Sequence, residues 1–145
     1  ELLSNYFSEI EAFDVSSSAI KWVKKRFTDS KVNYFAADLF DEKAEFQLKA
    51  PYDFIFEAYT IQALPRELKI PAMNILPTLL KKSGQLLIVC DGRENNEEGF
   101  TIPHPLSPDE LITLSNQLTQ TKFEQLEGNE NRGLGKRVYR VLFQK

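Results

Sequence analysis

Three acidic side chains close short apolar runs: Asp14 ends the run Glu9–Phe13, Asp38 follows Val32–Ala36, and Glu57 follows Tyr52–Phe56. Open α/β sheets bind ligands beyond the carboxyl ends of parallel strands, where a carboxylate can accept hydrogen bonds from both hydroxyls of a diol such as a ribose. Asp14 has that placement; its ordinary alternative is a helix N-cap or turn residue. Asp38 could accept from an amino group or simply cap a turn, with Leu39 beside it, as Val15 is beside Asp14, to offer backbone and apolar surface. A carboxylate at Glu57 could hold an ammonium, orient an acceptor or take a proton. Tyr59 could present its ring face to a cation, and Gln62 is a further polar candidate on the substrate side. The plain alternatives are a solvated strand end for Glu57 and packing for Tyr59. His104, between Pro103 and Pro105, lies in a stiff loop that either covers a substrate or is only structural.

The elements that must position these residues follow from hydrophobic periodicity. Short apolar runs alternate with amphipathic stretches, the pattern of alternating strands and helices. Ser16-Ser17-Ser18 offer N-cap oxygens for a helix with Ala19, Ile20, Val23 and Phe27 on one face and Lys21, Lys24, Lys25 and Arg26 on the other. Trp22 is expected to pack at its margin. Asp41 to Pro51 reads as a charged connection with a possible helical turn. Pro65 to Leu80 reads as a helix, kinked or shortened by Pro71 and Pro77, with Leu68, Ala72, Ile75, Leu76, Leu79 and Leu80 inward. Ser83-Gly84 is expected to be a turn leading into Gln85–Cys90, the longest apolar run, read as a central strand covered on both faces. Asp91 to Pro105 is an irregular loop or lid. Ser107-Pro108 starts a helix to about Gln120, and Lys122–Leu126 with Arg137–Phe143 form a hairpin around Gly128 to Gly135. Arg132 to Arg137 could touch an anion, although a hairpin connection already explains its glycines.

Composition narrows the chemistry. The 145 residues carry a net charge of -3, without the basic excess that phosphate neutralisation requires, so no nucleic-acid partner is expected. No apolar run approaches a membrane span, so no membrane partner is expected either. One cysteine, Cys90, and one histidine exclude a disulfide framework, a thiolate zinc site and a paired-histidine metal site within one chain; no metal is expected, and the cytoplasm is the natural compartment. Cys90, at the end of a core strand, reads as a small buried apolar residue. All six glycines lie at or after Gly84, so the first half has no glycine-rich phosphate cradle.

Four segments in order resemble class I S-adenosylmethionine-dependent methyltransferases. Glu11–Ile20 is similar to the second strand and following turn, and Phe35-Ala36-Ala37-Asp38-Leu39-Phe40 to the segment after the third strand. Tyr52–Pro65 resembles strand four and the loop toward substrate, and Leu79–Ile88 the helix-turn-strand that follows. The resemblance implies an α/β, Rossmann-like, mostly parallel sheet with helices on both faces and a C-terminal antiparallel hairpin. It also implies a single domain over residues 1-145, N-terminally incomplete, since the first strand and its glycine-rich loop would lie before Glu1. Leu2 to Phe7 would be the tail of the first helix, and the sheet would be interrupted between the strand ending at Asp14 and the strand ending at Glu57.

The implied cofactor is S-adenosylmethionine, held by Asp14, Val15, Asp38, Leu39 and Glu57. Glu57 and Tyr59 would be the catalytic residues and Gln62 and His104 the substrate side. The implied reaction is direct displacement of a methyl onto a small-molecule acceptor. The oligomeric state is not fixed by the sequence. Two other readings stand beside it: a non-catalytic fragment or interaction module, and a nicotinamide-binding domain. The Ala-Ala-Asp-Leu and Glu-Ala-Tyr-Thr segments argue against the latter.

Overall fold

The computed structural model describes residues 1–41, 48–97, 103–128 and 136–145, and the chain divides into two compact units, Glu1–Lys49 and Ala50–Lys145. In the first unit, after a 3-10 turn at Leu2–Asn5 where the sequence suggested the tail of a helix, β1 (Glu11–Asp14) and β2 (Asn33–Ala36) pair in parallel. The crossover between them is α1 (Ser17–Arg26), which begins where expected: the Ser16 hydroxyl accepts from the Ala19 amide at 3.2 Å. Lys24, Lys25 and Arg26 in its last turn complement the helix dipole. Ile20 is buried and Val23 and Phe27 are half-buried, as the spacing indicated, but Ala19, expected on the same face, is exposed in the first turn. Trp22 departs from expectation. It is 74% exposed, because two residues beyond Ile20 the helix has turned to its solvent side.

The second unit is a four-stranded mixed sheet in the order β3-β4-β6-β5, formed by Tyr52–Ala58, Leu80–Asp91, Arg137–Gln144 and Thr119–Glu127. β3 and β4 are parallel; β6 is antiparallel to both β4 and β5, which gives the expected C-terminal hairpin. Among the described residues β1 pairs only with β2, and β3 is an edge strand paired only with β4. Residues 129–135 of the hairpin connection, with most of the candidate anion stretch, lie outside the described residues. So do residues 42–47 of the charged connection and 98–102 of the loop before His104.

The Pro65–Leu80 stretch is shorter than one helix. A turn of helix α2 (Thr60–Ala63) precedes α3 (Arg66–Ile75), and a 3-10 turn, Leu76–Leu79, carries Pro77 at its start, the shortening expected of that proline. Its last carbonyls are capped by Lys145, whose Nζ donates to Pro77 at 2.8 Å and Leu80 at 2.9 Å. The buried stripe runs through Lys69, Ala72, Met73, Leu76 and Leu80, while Leu68, Ile75 and Leu79 are only half-buried, a rotation of about one residue from the spacing-based face.

Ser83-Gly84 is a bulge within β4 rather than a turn before it. The register steps from Tyr52↔Leu80 to Phe54↔Gln85, and Ser83 has φ 66°. A Cβ on Gly84 would lie 2.9 Å from the Lys81 carbonyl and 3.0 Å from that of Tyr52, so only glycine fits.

β4 is central but unevenly covered. Leu86, Ile88 and Cys90 are fully buried with Val141, Phe143, Met73, Leu111 and Leu114, whereas Leu87 and Val89 on the opposite face are half-buried beside the exposed Phe56. The last helix is also shorter than expected: α4 is Pro108–Ile112, followed by a 3-10 turn over Thr113–Asn116. Ser107 and Glu110 form a full capping box at its start, and the Thr113 hydroxyl turns back to the Glu110 carbonyl at 2.7 Å. Thr119 already pairs with Gln144, which leaves no chain for a helix reaching Gln120.

Candidate functional site

In the first unit the parallel register brings Asp14 opposite Ala36, and the Ala37 amide donates to the Asp14 carbonyl at 3.1 Å. Asp14 and Asp38 thus emerge at the same, carboxyl-terminal edge of this two-stranded sheet. Each closes a local turn with one oxygen: Asp14 Oδ1 accepts from the Ser16 amide at 2.7 Å, and Asp38 Oδ1 from the Phe40 amide at 2.9 Å. Both residues are exposed, and their second carboxylate oxygens have no protein donor among the described residues. The turn-capping and ligand-accepting readings are therefore compatible. One oxygen orients the carboxylate and the other is open. Val15 is exposed and Leu39 half-buried beside them.

The carboxyl end of β3 in the second unit is built differently. Glu57 is only 7% exposed, and its Oε1 accepts two backbone N–H groups, from Thr60 at 2.7 Å and from Ile61 at 3.0 Å. Its Oε2 is buried with no partner among the described residues. Burial raises the Glu57 carboxyl above the ordinary carboxylate range, against the lowering effect of the two amides. Between acceptor and donors stands Tyr59 with φ 63° and ψ 2°, a left-handed conformation that costs a residue with a β-carbon about 1–2 kcal/mol. The Tyr59 amide donates to the Val89 carbonyl at 3.0 Å, tying the elbow to β4. Burial, with Asp91 nearby, raises the Tyr59 hydroxyl above its ordinary value.

Gln62 and Asp91 clasp each other. The Gln62 amide donates to Asp91 Oδ2 at 2.9 Å, and Gln62 Oε1 accepts from the Asp91 backbone N–H at 2.6 Å. Gln62 is 2% exposed, so its side chain joins α2 to the end of β4 rather than facing outward. His104 is held by its backbone: its amide donates to the Gln62 carbonyl at 2.8 Å and its carbonyl accepts from Lys69 Nζ at 2.9 Å. The same strap is fixed at its far end, where the Leu106 amide donates to Asp91 and the Arg93 amide to Leu106. Arg93 also bonds the Pro105 carbonyl at 3.1 Å and pairs with Glu110 at 3.1 Å. Cys90 is wholly buried, and desolvation pushes its thiol far up, which makes it a core residue and not a nucleophile.

Three participants escaped the sequence reading. Lys69 was hidden by its charge; its spacing of four to Met73 and seven to Leu76 was the available signal. Burial lowers its ammonium below the ordinary lysine range. Asp91 stands in the sequence only as the first residue of an irregular stretch. Gly92 permits the close approach of the Tyr139 ring, whose nearest atoms would lie 2.6 Å from an added Cβ. Among the described residues no three His, Cys, Asp or Glu side chains gather as a metal set, and no helix is long and apolar enough to cross a membrane.

The sequence matches no family model and no curated protein. The structure does have relatives. It matches the N-methyltransferase NodS from Bradyrhizobium japonicum with a TM-score of 0.77 and 17% identity, covering 100% of this chain and 78% of that one. A NodS structure in complex with S-adenosyl-L-homocysteine gives the same score over 99% of this chain and 70% of that one. A SAM-dependent methyltransferase from Anabaena variabilis matches at 0.76 and 13% identity, over 99% and 70% of the two chains. The chain therefore has the class I methyltransferase fold, as the four sequence segments implied.

Proposed function

We propose that the chain acts in S-adenosylmethionine-dependent transfer of a methyl group to a small-molecule acceptor. The observation that carries this reading is the pair of exposed aspartates at one sheet edge, each oriented by a local turn and each keeping one oxygen open, in a chain with the methyltransferase fold. Asp14 accepts from the ribose hydroxyls and Asp38 from the adenine amino group, while Val15 and Leu39 supply apolar surface for the ring. S-adenosylmethionine supplies a methyl already activated on a sulfonium, so the protein needs no covalent intermediate of its own. The chain's residues bind, align and exclude water: Tyr59 offers its ring face to positive charge. Gln62, Asp91, Lys69 and the His104 strap hold the end of β4 in place. In this reading Gln62 and His104 shape the acceptor side through the backbone they anchor. The net charge of -3 favours a small molecule over nucleic acid as acceptor.

A calorimetric titration with S-adenosylhomocysteine tests the proposal without knowledge of the acceptor. Saturable binding, with none for NAD, supports it. A folded chain that binds NAD and not S-adenosylhomocysteine overturns it in favour of the nicotinamide reading, and one that binds neither favours the non-catalytic module.

A further inference from the structure

We infer that Glu57 is a positioning residue whose carboxylate closes the elbow Glu57–Ile61 and thereby sets Tyr59, rather than a group that itself contacts the ligand. The inference deepens the methyl-transfer reading and rests on it for the identity of the ligand, though not for the elbow. Four observations converge. Glu57 Oε1 accepts from both the Thr60 and Ile61 amides, the donors immediately after Tyr59. Tyr59 is one of only two non-glycine residues with positive φ among the described residues. The Tyr59 amide is fixed on the Val89 carbonyl, so the elbow is pinned on both sides of the strained residue. Finally, Glu57 is 7% exposed and its second carboxylate oxygen is buried as well, so the carboxyl faces the interior.

A left-handed tyrosine persists only where its surroundings over-determine it. Here two hydrogen bonds to successive amides do so, and they require an acceptor oxygen at position 57 but no negative charge. A group holding the ammonium of a ligand would require the charge. That difference separates the roles. Glu57→Gln keeps an acceptor oxygen for both amides, whereas Glu57→Ala removes it.

The expected results are that Glu57→Ala weakens S-adenosylhomocysteine binding about tenfold or more while Glu57→Gln stays within about twofold of wild type. Tyr59→Ala should weaken binding comparably, and Glu57→Ala/Tyr59→Ala no further than Tyr59→Ala alone. Glu57→Gln binding as poorly as Glu57→Ala, at an unchanged unfolding midpoint, would overturn the inference and give the carboxylate to the ligand. A second readout needs no ligand. Glycine adopts the left-handed conformation freely, so the drop in urea midpoint caused by Glu57→Ala should be at least about halved in a Tyr59→Gly background. Equal drops in the two backgrounds would also overturn it. If the wild type does not bind S-adenosylhomocysteine, the methyl-transfer reading falls and the stability cycle alone judges the elbow.

Discussion

The ends of β1 and β3 each place a carboxylate just where a parallel strand stops, and the two are used in opposite ways. Asp14, like Asp38 just beyond the neighbouring strand, is exposed, spends one oxygen on a turn two residues away and leaves the other without a donor among the described residues. Glu57 is buried, spends one oxygen on two amides and hides the other. The extra methylene explains part of the contrast: it lets Glu57 reach back over Tyr59 to amides three and four residues on, while an aspartate closes the tighter turn. The neighbourhood explains the rest. Around Asp14 the turn faces solvent, whereas Glu57 is buried and is followed by α2, whose Ile61 and Gln62 are buried too. Residue type and strand end are common to both positions, and burial is what separates the carboxylate left exposed from the one closed over its own elbow.

The contrast can be broken most severely on the braced side. Gly92→Ala should cost about 2–3 kcal/mol, because its Cβ would meet the wholly buried Tyr139 ring at 2.6 Å; urea unfolding measures it. Gln62→Leu should cost about 1–3 kcal/mol by removing both of its bonds to the buried Asp91, again seen as a lower midpoint with an unchanged slope. On the open side the effect moves from stability to binding. Asp14→Ala should weaken S-adenosylhomocysteine binding by roughly 1–3 kcal/mol while costing under about 1 kcal/mol of stability, since only an exposed turn bond is lost. A cost in stability comparable to that of Gln62→Leu would erase the distinction between the two ends.

A gentler probe is pH. Because burial raises the folded Glu57 carboxyl above its ordinary 4.5, the native state keeps a proton that the unfolded chain has released. The stabilisation from that group is therefore complete below the unfolded value and is lost as pH rises through the folded one. Glu57→Gln has no such titration. Its stability relative to wild type should be flat in acid and increase as pH is raised from about 4.5, as urea midpoints between about pH 4 and about pH 8 would record. A wild type that instead gains on Glu57→Gln with rising pH would mean that the buried carboxylate is stabilised as an anion.

The open end was the more legible in the sequence. The run into Asp14, the Ser16 cap and the Ile20–Val23 face depend on neighbours within a turn or two, and each appears in the structure. The strands of the second unit were legible for the same reason. The braced end depends on partners far apart in the chain: Gln62 and Asp91 are 29 residues apart, and Lys69 and His104 are 35 apart. Nothing local says that a glutamine will be buried by its clasp, and the charge of Lys69 masks the helical spacing that puts it on the apolar stripe of α3. The long-helix reading after Ser107 failed for a related reason, because pairing of Thr119 with Gln144 overrides helical spacing. Trp22 shows the converse: a large apolar residue invited a packing role that the turn of α1 does not give it.

The most direct test places the two carboxylates side by side in one calorimetric series, titrating S-adenosylhomocysteine into wild type, Asp14→Ala and Glu57→Gln under the same conditions. Wild type should bind, Asp14→Ala should lose about fivefold or more in affinity, and Glu57→Gln should stay within about twofold of wild type. Affinity kept by Asp14→Ala and lost by Glu57→Gln, with both proteins folded, would contradict this division between the two carboxylates.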